Sequence, residues 1–531
     1  VRSKYGDIGS SAGDVPVVLV TLYTPGQIIR AATRPIDIPD PDGDGPYLYD
    51  ARLTSIDDFD REVDVFAIER GMITSARVGM VFPESLEPLS MEAAYYHLAA
   101  SRCEVALIWE GQSWGQRDVI MGRGTISGLS MGVASQPVSF VVEALPPATG
   151  APIGDAERDM KGTGLFPVIG TFGKLQGRQF PTIIGRCYRL PGFKIGPVFM
   201  LSNYGLLLAG HHMPATLPTV YEGEEAPTAY VSVGTMTMTN TSDYAGDPIA
   251  VIDGDVAAGV YDFAASPTQG AFTFDAEYGG VQAADGSNVP ALGATGVISY
   301  ILATSCEQVD FDKMRKTYAL LGGIEIGVYV DKATDALKIL RDRILSVLPL
   351  IEEQGEHGMW LRYVDIATMP VEVELIEGVN LVGRTGGMEQ VSDPDELYNS
   401  FTVNYAYDHA IGRFGSSLTI NGDNHPLCAL SRQLYGERVA PAMNVDITWS
   451  AATASFIANS RANRLALPRY VTTWIADPSM YWLREGAIVS VTSETFGWTA
   501  RKAVVRRVRA TGNPIELMIE PIPGLLTAGV I

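Results

Sequence analysis

Between residues 15 and 145 the hydrophobic positions come in short runs with partial two-residue alternation: "VPVVLVTLYT", "REVDVFAIE", "SRCEVALIWEG", "RDVIMGRGTIS" and "QPVSFVVEAL". Gly, Pro and Asp separate the runs, the punctuation expected between strands. This stretch predicts a β-barrel or sandwich, with one helix at "SMEAAYYHLAA". The Pro- and Gly-rich "LPPATGAPIGD" (145–155) predicts a linker. Strand-period runs rich in Thr and aromatics, such as "AYVSVGTMTMT" and "GAFTFDAEYGG", continue into the 200s. Near residue 307 the period becomes helical, in "EQVDFDKMRKTYALLGG" and in "ATDALKILRDRILSVLP". The second run sets Leu337, Leu340, Ile344 and Leu348 on one face and stops at Pro349. A further helix, in "SAATASFIANSRANRLALP", places Ala454, Ile457, Ala458 and Leu465 on a narrow small-residue stripe. Ser450 is its cap and Pro468 its stop. Strands return from Arg469, with turn signals at Asp477-Pro478, Glu485-Gly486, Phe496-Gly497 and Gly512-Asn513-Pro514. There is no internal repeat and no low-complexity segment.

The fold class that follows is mainly β with a few helices, in several domains. A chain of 531 residues exceeds what one core usually supports. Hydrophobic content of 46% with 19% charged residues marks a folded chain, and 55 Gly with 32 Pro supply its turns. The expected division is an N-terminal β domain (1–148), an acidic inserted β domain (149–296), an α+β domain (297–430) and a C-terminal helix with β-hairpins (431–531). Asp and Glu number 61 against 39 Lys and Arg, a net charge of −22, which repels phosphate backbones and argues against tight DNA binding. The imbalance is concentrated: no Lys or Arg occurs from Ile195 to Asp312, while fourteen acids lie between Glu222 and Asp312. Cys103, Cys187, Cys306 and Cys428 are spaced too far apart for a CxxC motif or a disulfide scaffold and read as reduced, mostly buried thiols. "VPVVLVTLY" is too short to span a bilayer, and Asp7 and Asp14 spoil a basic leader, so neither membrane anchor nor export signal is expected.

Chemistry is sparse. "GLSMG" (128–132) matches the G-x-S-x-G nucleophile elbow, but the following "VASQPVSFVVEAL" is strand-like, so Ser130 belongs to a hairpin rather than to a strand-to-helix turn. The six histidines, His97, His211, His212, His357, His409 and His425, form no HExxH and no ligand spacing. The adjacent His211 and His212 would point to opposite faces of a strand. "DPDGDG" offers Asp40, Asp42 and Asp44 as weak calcium candidates, the opening half of an EF-hand-like loop, but Ala51 stands where the closing Glu should fall. The doubled carboxylates Glu224-Glu225 and Glu352-Glu353 read as solvated surface rather than as acid/base pairs. "GRGTISG" lacks the spacing of a phosphate loop. No catalytic residue, metal or cofactor is expected.

The densest basic cluster, Arg501, Lys502, Arg506, Arg507 and Arg509, falls in a predicted strand. Strict alternation puts Arg501, Ala503, Val505, Arg507 and Arg509 on one face and Lys502, Val504, Arg506 and Val508 on the other. Neither face is a cationic stripe of the kind that reads nucleic acid. The five are expected to pair with Glu516, with Glu520 or, as subunit contacts, with the acidic surface of a neighbouring copy.

Three stretches carry a family resemblance. They are "ALKILRDRILSVLPLIEEQGEHGMWLRYVD", "ELYNSFTVNYAYDHAIGRF", and the long "LSRQLYGERVAPAMNVDITWSAATASFIANSRANRLALPRYVTTWIADPSMYWLREGAIVSVTSETFGW". Over 297–521 the chain resembles the central tail-tip or baseplate hub proteins of long-tailed (siphovirus-like) bacteriophages and gene transfer agents; 15–145 resembles them in strand layout, and 150–296 matches nothing in them. The resemblance implies a homotrimeric virion component with tail-tube-like β-barrel domains, at the distal tip of the tail. It implies closure of the tube end, opening for DNA ejection during host cell entry, and assembly in the bacterial cytoplasm. The implied partners are the distal tail ring protein, the tape-measure protein and receptor-binding fibres or spikes, with DNA passing without specific binding. In that setting the N-terminal and 300s domains would wall the channel, acidic residues inward, keeping it weakly repulsive to DNA. The alternatives are a cell-wall-degrading hydrolase, which needs opposed carboxylates or a Ser/His pair, and a cell-wall-binding adhesin using the 195–312 block.

Overall fold

The computed structural model describes residues 17–24, 27–39, 46–51, 53–62, 73–80, 101–109, 111–116, 118–130, 138–144, 152–153, 179–195, 205–209, 219–222, 228–229, 237–242, 248–253, 272–276, 292–306, 309–355, 358–365, 369–392, 397–480, 483–509 and 515–522. The fold is mainly β, in several sheets, and among the described residues the α-helices are gathered between residues 293 and 465. The helix expected at 90–100 lies outside the described residues.

The largest sheet, of 15 strands, joins the two ends of the chain. Its C-terminal part runs Leu381–Gln390, Tyr470–Ala476, Ile515–Pro521 and Trp498–Arg509; next come Leu53–Glu62 and Ile73–Met80, then the remaining strands of the first 144 residues, out to Ile36–Ile38. The seam strands are antiparallel, with Arg507 opposite Glu62 and Arg509 opposite Asp60. Strand Ile488–Ser493 branches from Trp498–Arg509 and takes Val373–Ile376 in parallel on its other side. Side chains follow the backbone: Val20, Leu22, Val105 and Leu107 pack in one core with Val489, Val505, Leu517 and Ile519. The expected first and last segments therefore share a sheet and a hydrophobic core.

The central body has its own core. Helix Gly293–Ser305 buries Ala294, Val297, Ile298, Ile301 and Leu302, an i, i+3, i+4 pattern, against Leu337, Leu340, Ile344 and Leu348. Leu337, Leu340 and Ile344 occupy helix Ala336–Ile339 and its continuation, where Leu340–Leu345 widens into a π-turn, and Leu348 lies in the turn that follows. Side-chain caps start the helices: Asp310 accepts from the Lys313 amide, Asp335 from Lys338 and Ser450 from Thr453. Ala454, Ile457 and Ala458 are buried under the sheet of Phe401–Asp408 and Arg413–Ile420, where short side chains let helix Ala451–Leu465 lie close. Pro152–Ile153, at the end of the expected linker, pairs with Thr334–Asp335, and Thr182–Gly185 pairs with Gly327–Val330. Residues N-terminal to the acidic block are thereby stitched onto the central body.

The block itself contributes strands to a seven-stranded sheet, ordered Thr228–Ala229, Thr219–Glu222, Phe272–Ala276, Cys187–Ile195, Gly205–Ala209, Pro248–Asp253 and Thr237–Ser242. It is anchored by polar groups removed from water. Arg189, with a left-handed backbone (φ 53°), donates its amide to Asp275 Oδ1 at 2.7 Å and its Nε to Asp408 Oδ2 at 3.0 Å. Asp408 also accepts from the Ala410 amide, so its charge is held on several sides.

Just before this joint, Gly185 and Gly327 stand opposite one another. A Cβ on Gly185 would meet Val297 Cγ2 at 2.6 Å, and one on Gly327 would overlap the Arg186 carbonyl. Gly327→Ala should lower the first calorimetric unfolding transition, losing about 2 kcal/mol or more, the scale of core overpacking. Gly323→Ala, which meets nothing within 4 Å, should leave that transition in place.

Candidate functional site: the basic C-terminal strand

Strand Trp498–Arg509 carries a buried run at Ala503, Val504 and Val505 and follows strand Ile488–Ser493 through a turn that needs glycine, at Gly497 (φ 64°). Three strands pair with it: Ile488–Ser493, Ile515–Pro521 and Leu53–Glu62. Between Val505 and Arg507 the register slips, so Val505 faces Ile519 while Arg507 faces Met518, and Arg506 is the extra residue of a bulge. The bulge corrects the strict alternation expected of this strand. Val508 joins Ala503 and Val505 in the large apolar core, whereas Val504 packs on the opposite face with Ile488.

The five cations have different environments. Arg506 is 5% exposed and ion-pairs at 3.4 Å with Glu520, which is fully buried. Arg509 lies 3.9 Å from Glu516 on the half-exposed rim. Arg501, Lys502 and Arg507 are part-buried, and burial lowers the pKa of each, with the Arg509 charge adding to the effect at Arg507. Glu516 and Glu520 are thus matched to Arg509 and Arg506 inside one chain. Arg506, being internal, has no face for a neighbouring copy.

The other sequence candidates separate. Asp40, Asp42, Asp44, His97, His211, His212, His357 and Glu224-Glu225 lie outside the described residues. Ser130 ends strand Asp118–Ser130, which pairs antiparallel with Val138–Ala144, the next described element. Among the described residues no group of His, Cys, Asp and Glu is set to hold a metal ion. The four cysteines are free thiols, and burial raises Cys187 to about 12 and Cys428 to about 11. Glu352 and Glu353 are not solvated surface: they point to opposite sides of strand Leu350–Gly355, Glu352 taking two hydrogen bonds from Arg341 and Glu353 an ion pair with Arg362. Their doubling is strand alternation between two different guanidinium partners.

His409 packs against the rings of Tyr329 and Tyr407, each centroid 5.0 Å away, and burial pulls its pKa down to about 4. The unfolded chain takes a proton on this residue near pH 6.5 and the folded chain near 4, so stability falls as pH drops through that window. The loss approaches about 3 kcal/mol. His409→Gln should flatten that part of a stability–pH profile. For the buried pair, Arg506→Met should cost about 3–5 kcal/mol by stranding Glu520, and Arg506→Met with Glu520→Leu should recover most of it in the same denaturation assay.

No protein-family model matches the chain, and no curated protein is similar to it in sequence. Solved structures similar to it in fold include a protein of the virion of a native gene transfer agent particle, at 14% identity and TM-score 0.43 over 67% of this chain and 88% of that one. Another is the 43 kDa tail protein of prophage MuSo2 from Shewanella oneidensis, at 8% identity and TM-score 0.39 over 95% and 98% of the two chains. A tail protein from Neisseria meningitidis is similar at 10% identity and TM-score 0.37, over 95% and 96%.

Proposed function

We propose that the chain is a structural component of a phage-type tail, the central hub that closes the distal end of the tube and opens to let DNA pass. The sequence resemblance over 297–521 supports this reading. The observation that carries it is the single sheet and core uniting the strands of 17–144 with those of 470–521. A hub that must resist internal pressure and then move as a unit needs wide β walls whose ends are locked rather than tethered. The residues behind the resemblance are packing groups, Leu337, Leu340, Ile344, Ala454 and Ile457 among them, as expected of a mechanical part.

In this reading the working form is a homotrimer in the virion tail, between the distal ring, the tape-measure protein and the receptor-binding fibres. The net charge of −22 keeps the channel weakly repulsive to DNA. Subunit contacts fall to the part-buried Arg501, Lys502 and Arg507 and to the rim of Arg509, facing acidic groups of the next copy.

Native mass measurement of the full chain tests the assembly: a trimer is expected, and a monomer at micromolar concentration would overturn it. Arg501→Gln with Arg507→Gln should weaken the trimer at least tenfold and lower the stability of the folded chain by no more than about 1 kcal/mol for each change. An unchanged oligomer would remove these residues from the interface.

A further inference from the structure

We propose that the boundary between the central α/β body and the C-terminal β strands is a hinge, latched shut by Arg362. The two bodies have separate cores. Where they meet, among the described residues, a small apolar cluster lies between them: Ile351 and Val364 from the central side, Ile488 and Val504 from the C-terminal side, with Met369 and Ile522 at its margin. Strand Leu350–Gly355 also lies against Asp118–Ser130, and the chain crosses between Val364 and Val373, where the Glu372 amide donates to the Ile488 carbonyl at 2.7 Å. Opening this boundary uncovers little apolar surface, while both large cores stay intact.

Hairpin Leu350–Gly355 and Gly358–Tyr363 is the partition. Leu350, Leu361 and Tyr363 point into the central core, and Glu352 turns the same way to Arg341. The other face carries Ile351, Glu353 and Arg362 toward the C-terminal strands. There the guanidinium of Arg362 ion-pairs through Nε with Glu353 at 2.6 Å and donates through Nη2 to the Glu485 carbonyl across the boundary. Burial raises the pKa of the Glu372 carboxyl, and the Arg362 charge offsets part of that rise. One cation therefore balances Glu353 on its own side and grips the backbone of the other body.

The receiving turn is shaped for it. Gly486 has a left-handed backbone (φ 76°), and a Cβ there would lie 2.7 Å from Arg362 Nη2. Two crossings between the bodies run side by side: Gln390 is paired with Tyr470, the Val391 amide donates to the Arg469 carbonyl at 3.0 Å, and the Arg469 amide to Ser392 Oγ at 3.0 Å. This paired ribbon is the axis, and Arg362 is the latch away from it. The inference stands on these contacts and holds whether or not the chain is a tail hub.

Hydrogen–deuterium exchange on the full chain tests it. Arg362→Met and, separately, Gly486→Ala should raise exchange at least tenfold in Leu350–Gly355, Gly358–Tyr363 and Ile488–Ser493, and leave helix Ala451–Leu465 and strand Ile515–Pro521 as protected as before. Adding Ile351→Cys with Val504→Cys should return exchange to the original level when the pair is oxidised and not when it is reduced. Unchanged exchange in both single variants, a rise spread equally through both cores, or no rescue on oxidation would each overturn the hinge.

Discussion

One strand, Trp498–Arg509, is paired along both edges and buried on both faces at Ala503, Val504 and Val505. Much else in the molecule depends on it. Its pairing with Leu53–Glu62 makes one sheet out of the two ends of the chain, and its pairing with Ile488–Ser493 brings Val504 and Ile488 to the boundary with the central body. A strand so enclosed reads as a nearly continuous apolar run at its centre, with its charges pushed to the ends or into a bulge. That explains the odd texture of "RKAVVRRVR": the cations flank Ala503–Val505 and Val508.

Three of the helical parts are plain in the sequence, because a single face of each meets one core; helices Gly293–Ser305 and Pro426–Tyr435 are not. Leu337, Leu340, Ile344 and Leu348 are all buried as their spacing requires, and Ser450 caps the helix it precedes. Helix Gly293–Ser305 was missed although Ala294, Val297, Ile298, Ile301 and Leu302 carry the same signal. Its β-branched residues and its place at the end of a β-rich acidic stretch hid the period. The π-turn at Leu340–Leu345 and the bulge at Arg506 leave no mark on local periodicity, since each is set by what packs from elsewhere in the chain.

The candidate site shows the same limit. That Arg501 to Arg509 form a strand was legible, and so was pairing with Glu516 and Glu520, because opposite charges in neighbouring hairpin strands are a local feature. Which of the five is internal was not legible, because one inserted residue exchanges the faces beyond it. Nor could Glu353 be told from Glu352: both look like surface until Arg362 and Arg341 arrive from different elements. The "REG" turn was read as a turn, and its service as a seat for a guanidinium depends on a hairpin more than a hundred residues earlier.

The antiparallel match of Arg507 with Glu62 spans 445 residues by subtraction. During synthesis the strand Leu53–Glu62 must wait with that edge uncovered until the last strands have been made, and non-local pairing of this kind is slow to close. An edge left open that long can pair with another chain, so shielding it during synthesis is a burden this topology carries.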